Sequence, residues 1–206
     1  ATMTWPQRVV AQVTSAPDGT NTRVQQNGNR FTIEGGTLSS DERNLFHSFR
    51  EFGLTTEQIA TFLANPDLEN ILGRVTGGNL SVIDGLLQVS GGDANLFLMN
   101  PAGIIFGENA RLDVSGDFTA TTATGIGFES GWFNATGDND YGRLLGNPNQ
   151  FAFAVSQPGS ILNEGELTVA PGHRLTLLGG SVINTGTLAA PGGSLTVAAV
   201  PGEHLV

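Results

Sequence analysis

Apolar residues in this chain come in short runs of three to five, broken by Gly, Asn, Asp or Pro, and in the last third the runs repeat. Gly159–Leu167 (GSILNEGEL) returns as Gly180–Leu188 (GSVINTGTL) at a spacing of 21. Ala170-Pro171-Gly172 with Leu175–Leu177 returns as Ala190-Pro191-Gly192 with Leu195–Val197 at a spacing of 20. A period near 20 is too short for TPR, ankyrin or WD repeats, and the L-x-x-L-x-L signature of leucine-rich repeats is absent. The remaining architecture is a parallel β-helix, each repeat forming one rung. Rungs stack at about 4.8 Å, so apolar positions lie over apolar ones, and Asn163 over Asn184 forms a turn ladder.

The middle of the chain fits the same coil less regularly. Leu80 to Val89 alternates loosely before the Gly91-Gly92-Asp93 turn, and Leu96–Met99 and Ile104–Phe106 flank Asn100-Pro101-Ala102-Gly103. Arg111–Ser115 and Asp117–Thr122 follow, again bounded by turn residues. Two stretches differ. Thr55 and Gln58 form a capping-box pair, and Ile59, Phe62 and Leu63 share a helical face, which predicts a short helix over 55–64. Gly131 to Gln150 is polar and reads as an excursion from the coil. The resulting plan is a leader or signal-peptide remnant over 1–12 and one domain over 13–206. Its cap covers about 13–50, its excursions about 51–72 and 131–150, and its regular rungs run to 206. For the leader, Val9 and Ala11 stand at the −3 and −1 positions of a signal-peptidase site without a preceding apolar segment, so a processing remnant and a disordered leader are equally supported.

Composition sharpens the class. Gly accounts for 29 of 206 residues, and Gly, Asn and Thr together make almost a third of the chain, the vocabulary of tight turns and short strands. Nine Arg and no Lys face 19 acidic residues, for a net charge of −10. That sign argues against nucleic acid or anionic lipid as the main partner. The absence of Lys excludes Schiff-base chemistry and Walker-type phosphate binding, and the absence of Cys excludes disulfides and thiolate sites. No apolar run approaches the roughly 18 residues of a membrane span, so no membrane insertion is expected.

The segment from Asn44 to Phe128 carries a resemblance. In order it holds Asn44–Phe52 (NLFHSFREF), Asn65-Pro66-Asp67-Leu68, Arg74–Gly78 (RVTGG) and Asn100-Pro101-Ala102-Gly103-Ile104 running on to Gly107. These resemble the TPS domain, the N-terminal secretion domain of filamentous-haemagglutinin-like exoproteins in two-partner secretion. The family's signature motifs are Asn-Pro-Asn-Leu and Asn-Pro-Asn-Gly-Ile, and this chain departs at the third position of each, with Asp67 and Ala102. The resemblance implies an all-β fold, a right-handed parallel β-helix with an N-terminal cap and extra-helical strands. It implies no catalysis and no cofactor. The implied role is a secretion-signal module, recognised by the periplasmic POTRA modules of a TpsB-type outer-membrane β-barrel transporter, that nucleates β-helix folding on export. The module is then secreted or displayed at the surface by way of a Gram-negative periplasm, and a monomer is expected. A Cys-free solenoid suits that route, since it threads without disulfides and folds rung by rung.

The site residues implied are Asn65, Pro66, Asp67 and Leu68, and Asn100, Pro101, Ala102, Gly103 and Ile104. Their residue types also suit type I turns, with Asn at the first position and Pro at the second. Direct partner contact and simple backbone shaping therefore both stand at this stage. His47, His173 and His204 share no metal-ligand spacing, and Asp138-Asn139-Asp140 lacks the Gly and Glu of a calcium loop in register. Phe46, Phe49, Phe52, Phe97 and Phe106 read as core and cap packing. Two rival functions remain: an adhesin or structural segment binding host or matrix surfaces, and a polysaccharide-acting β-helix enzyme, which would need clustered carboxylates on one face.

Overall fold

The computed structural model describes residues 12–206, so the leader expected over 1–12 lies, but for Gln12, outside the described residues. Six coils are built from three parallel sheets. Sheet A takes Asn44–Phe52, Asn70–Val75, Asn95–Met99, Phe118–Thr121, Arg174–Gly179 and Ser194–Ala199 in successive rungs. Sheet B takes Arg30–Gly35, Ile59–Leu63, Leu86–Ser90, Arg111–Asp113, Glu166–Thr168 and Thr187–Ala189. Sheet C takes Ser81–Ile83, Ile104–Phe106, Ile161–Asn163 and Val182–Asn184, and Leu54 extends it by a parallel bridge to Ile83.

Strand alternation explains the two sides of sheet A. Ile71, Leu96, Leu98 and Phe118 face the coil interior and join Ile33, Phe62, Ile104 and Leu167 in the main core. Phe49 and Phe52 of the first coil meet Phe62 of the second at the core's N-terminal end, Phe49 meeting Phe52 edge-on with centroids 5.0 Å apart. Such aromatic pairs contribute about 0.5–1.5 kcal/mol beyond the area they bury. The outward positions Phe46, Leu72 and Met99 are just as dry, because a second sheet lies against them. That sheet is antiparallel, in the order Gly131–Asn134, Gly125–Phe128, Gln150–Phe153, His204–Leu205, and interrupts the fourth coil between Phe118–Thr121 and Ile161–Asn163. Its residues Ile126, Phe128 and Phe133, with Leu144 from the segment between its strands, complete the outer cluster.

The repeat of the last third is two stacked coils. Asn163 aligns with Asn184, and its Nδ2 donates to Asn184 Oδ1 at 2.8 Å, the ladder the repeat predicts. The repeated Gly165 and Gly186 are required by close stacking. A Cβ on Gly186 would stand 2.2 Å from Gly165 O, and one on Gly165 would stand 2.5 Å from Gly107 O.

Several sequence boundaries need correction. Residues 55–64 form no helix: Thr55–Gln58 is a turn, with Gln58 N donating to Thr55 O and Glu57 at φ +69, and Ile59–Leu63 is a strand. The Thr55–Gln58 pair does bond as a capping box would, Gln58 Oε1 accepting from Thr55 N at 2.8 Å, but here it closes a turn. Parallel pairing of Ile59–Leu63 with Arg30–Gly35 and Leu86–Ser90 overrides the weak helical periodicity. For the same reason 51–72 is no excursion but runs from the end of the first coil into the second. The cap boundary near 50 falls inside the first coil. The antiparallel additions that close this end are Val13–Ser15 on Asn44–Phe52 and Thr22–Asn27 on Arg30–Gly35. Rungs do not continue to 206 either, since His204–Leu205 leaves the coil to pair antiparallel with Gln150–Phe153.

Candidate functional site

The two Asn-Pro motifs occupy different corners of the coil. Asn65–Leu68 joins sheet B to sheet A in the second coil, and Asn100–Gly103 joins sheet A to sheet C in the third. Both are turns closed in the same way. Leu68 N donates to Asn65 O (3.2 Å) and Asp67 N to Asn65 Oδ1 (2.9 Å). Gly103 N donates to Asn100 O (3.1 Å) and Ala102 N to Asn100 Oδ1 (3.0 Å). The Asn side chain thus mimics a backbone acceptor two residues on, as Asx turns require.

Beyond this shared turn the motifs differ. Asn100 is 1% exposed, and its Nδ2 donates to Asn79 O (3.0 Å) and Ser81 Oγ (2.9 Å), tying the third coil to the second. Gly103 has φ +124, in a region that favours glycine, and Ile104 is fully buried in the core. Asn65, Pro66 and Asp67 are exposed, and only Leu68 is buried. Shallow clefts lie on both sides of this corner. One, of about 500 Å³, is bounded by Asp41, Glu42 and Arg43, and the other, of about 400 Å³, by Gly92, Asp93 and Asn147. The third positions, Asp67 and Ala102, face solvent in both motifs, so neither turn depends on a third Asn side chain for its internal bonds.

Beside the first motif runs a feature not singled out from the sequence. Asn44, Asn70 and Asn95 are register partners in three successive coils. Asn70 Nδ2 donates to Asn44 Oδ1 (2.8 Å), Asn95 Nδ2 to Asn70 Oδ1 (3.0 Å), and Asp117 N to Asn95 Oδ1 (2.8 Å). The inserted segment closes the ladder: Asn44 Nδ2 donates to Leu144 O and Gly146 O, and Asn70 Nδ2 to Asn147 Oδ1. The signal was available as Asn at the start of apolar strands 26 and 25 residues apart, the rung length of this region.

A second missed residue is Arg74. Its side chain is 3% exposed, with Nε donating to Ser48 Oγ (3.0 Å), Nη1 to Asn134 O and Gly137 O (2.8 Å each), and Nη2 to Asp18 Oδ2 (3.0 Å). Burial raises the Asp18 carboxyl, but hydrogen bonds from Ser48, Thr20 and Arg74 outweigh it and hold the group below its ordinary value. Within the cap, His47 is fully buried, its Nδ1 at 3.2 Å from Thr22 Oγ1 and its Nε2 without a partner. Burial pushes its pKa down to about 4, so it is neutral in the fold. His173 sits apart, against Asp117, and His204 lies on the last strand. Among the described residues no three His, Cys, Asp or Glu gather in a way that could hold a metal, and no helix is long and apolar enough to cross a membrane.

A family model described as the TPS secretion domain matches residues 11–206. The chain belongs to the TPS secretion domain family. This TPS domain is 29% identical over 166 residues to the heme/hemopexin-binding protein of Haemophilus influenzae, covering 78% of this chain and 16% of that protein. Its fold matches the HMW1 secretion domain of Haemophilus influenzae with a TM-score of 0.64 at 25% identity, over 91% of this chain and 43% of the other. It also matches the filamentous hemagglutinin secretion domain with a TM-score of 0.62 at 18% identity, over 94% of this chain and 64% of the other. The chain therefore spans less than two thirds of each of these relatives. The β-helix that the resemblance implies is the fold observed, and the family and its structural neighbours are secretion modules of two-partner exoproteins.

Proposed function

We propose that this TPS domain is the export address of a longer exoprotein, recognised by the periplasmic POTRA modules of a TpsB-type outer-membrane transporter. In this reading the two motifs divide the work. Asn65-Pro66-Asp67 presents an exposed corner to the partner, whereas Asn100–Ile104 holds the second and third coils together. The observation that carries the division is the burial contrast between two turns of the same chemistry, Asn100 being closed in and bonded across coils and Asn65 lying free of cross-coil bonds. Asp67 in place of the family's third Asn keeps a polar group at the exposed corner.

Folding on export forms the second part of the proposal. The Arg74 cluster joins cap, first coil, second coil and inserted sheet, so its completion marks the point at which the N-terminal half is locked. From that surface the remaining rungs add one by one, each contacting only its neighbours. Destination follows from the route: the exoprotein reaches the surface or the medium through the periplasm of a Gram-negative cell.

The test is co-expression of the domain, behind a signal peptide, with its candidate barrel, reading the domain in the medium. Appearance outside only when the barrel is present supports the address. Retention of folded domain in the periplasm beside a functional barrel overturns it.

A further inference from the structure

We propose that a groove on the outer face of sheet A binds an oligosaccharide through one neutral sugar ring. The groove, of about 270 Å³, lies between the sheet and the segment carrying Pro148 and Phe151. Its floor is a register column in which Phe97, Thr119 and Thr176 are partners in the third, fourth and fifth coils. Asp117 and Arg174 stand on its wall. Thr119 is only 6% exposed, yet its hydroxyl has no hydrogen-bond partner among the described residues. Its remaining exposure is into the groove that it lines. That hydroxyl therefore meets solvent only through the groove, and a ligand seated there has to replace the bonds water makes to it.

The chemistry selects among ligands. Strand Phe118–Thr121 is paired on both sides, so the floor offers no free backbone edge to a peptide strand. The charges on the wall are of both signs: Asp117 Oδ1 accepts from Arg174 N (2.8 Å) and faces His173 Nδ1 (3.1 Å). A strongly charged ligand of either sign therefore gains little there. A purely apolar ligand would strip water from Thr119 and Thr176 without replacing its bonds. A pyranose meets each requirement. Its C–H face covers the rings of Phe97 and Phe151, and its hydroxyls bond the two threonines. These sit one rung apart, about 4.8 Å, close to the separation of alternate equatorial hydroxyls on the ring. This site is independent of the export reading, since it uses none of the residues of either Asn-Pro motif.

Titration of the isotope-labelled domain by NMR with cellobiose, maltose, lactose and diacetylchitobiose tests the proposal, with a heparin oligosaccharide as the charged probe. The expected result is saturable shifts at Phe97, Thr119 and Thr176 with at least one neutral disaccharide. Thr119→Val, which keeps the shape and removes the hydroxyl, weakens that binding about fivefold with an unchanged unfolding midpoint, and Thr176→Val does the same. Absence of saturable shifts with every neutral sugar, binding to heparin alone, or affinity unchanged in both variants overturns it.

Discussion

Arg74 Nη2 lies 3.0 Å from Asp18 Oδ2, joining the second coil to a residue that precedes the first. The guanidinium is the more buried partner, at 3% side-chain exposure against 25% for the carboxylate. Removing Asp18 therefore leaves a dry positive charge compensated by neutral groups, Ser48, two carbonyls and the ring of Phe133. Asp18→Ala is expected to destabilise the domain by about 3 kcal/mol, and Arg74→Ala by a similar amount through its lost bonds to Asn134 and Gly137. Urea unfolding followed by circular dichroism measures both. A loss below about 1 kcal/mol in each would show that the cluster does not hold the fold.

The burial contrast between the two motif turns predicts a split between stability and export. Asn100→Ala leaves Asn79 O, Ser81 Oγ and Ala102 N without their partner, at an expected cost of about 2–4 kcal/mol. Asn65→Ala gives up one exposed turn bond and costs about 1 kcal/mol or less. Under the proposed division, Asn65→Ala loses export with its unfolding midpoint nearly intact, while Asn100→Ala loses export in step with stability. Full export of Asn65→Ala would remove the recognition role from that corner.

Acid weakens this fold in two separate windows. His47 has a pKa of about 4 when folded against 6.5 as its ordinary value, so between those values the unfolded chain binds the extra proton. Stability is complete above pH 6.5 and falls as pH drops towards 4, by on the order of 3 kcal/mol. Asp18, depressed in the fold, gives stability present above its ordinary 3.8 and lost as pH falls through its folded value. His47→Asn keeps an acceptor near Thr22 and abolishes the upper window. Unfolding midpoints across pH 4–7 that fall equally in the variant would assign the effect to other groups.

Close stacking of the repeat glycines gives a local prediction. Gly186→Ala drives a Cβ into Gly165 O, whereas Gly172, at φ +85, has open space around it. Hydrogen exchange should therefore show Gly186→Ala opening the fifth and sixth coils, while Gly172→Ala costs only about 1 kcal/mol of backbone strain. Equal protection in the two variants would contradict the stacking account.

What was legible in the sequence was whatever repeats in register. The 159–188 pattern gave two coils and the Asn163–Asn184 bond, because stacking puts equivalent residues over one another. The Asn-Pro motifs were legible as turns from residue chemistry alone. Residues 55–64 misled because five residues cannot separate helical from strand periodicity when the deciding partners, Arg30–Gly35 and Leu86–Ser90, lie in other coils. Arg74 and Asp18 were opaque for a related reason. A lone Arg within an apolar run reads as an exposed strand position until the inserted sheet, some sixty residues later, is known to cover it.

The asparagine ladder ends on carbonyls of residues 144 and 146, a hundred residues from Asn44. Under the proposed export, a chain delivered N-terminus first would reach its opening turns long before it could finish them. Until that later stretch arrived, Asn44 would hold its amide without these two acceptors, and the leading end would stay reversible and pliable. Commitment would then come late and from behind, like a clasp whose second half is sewn far along the ribbon.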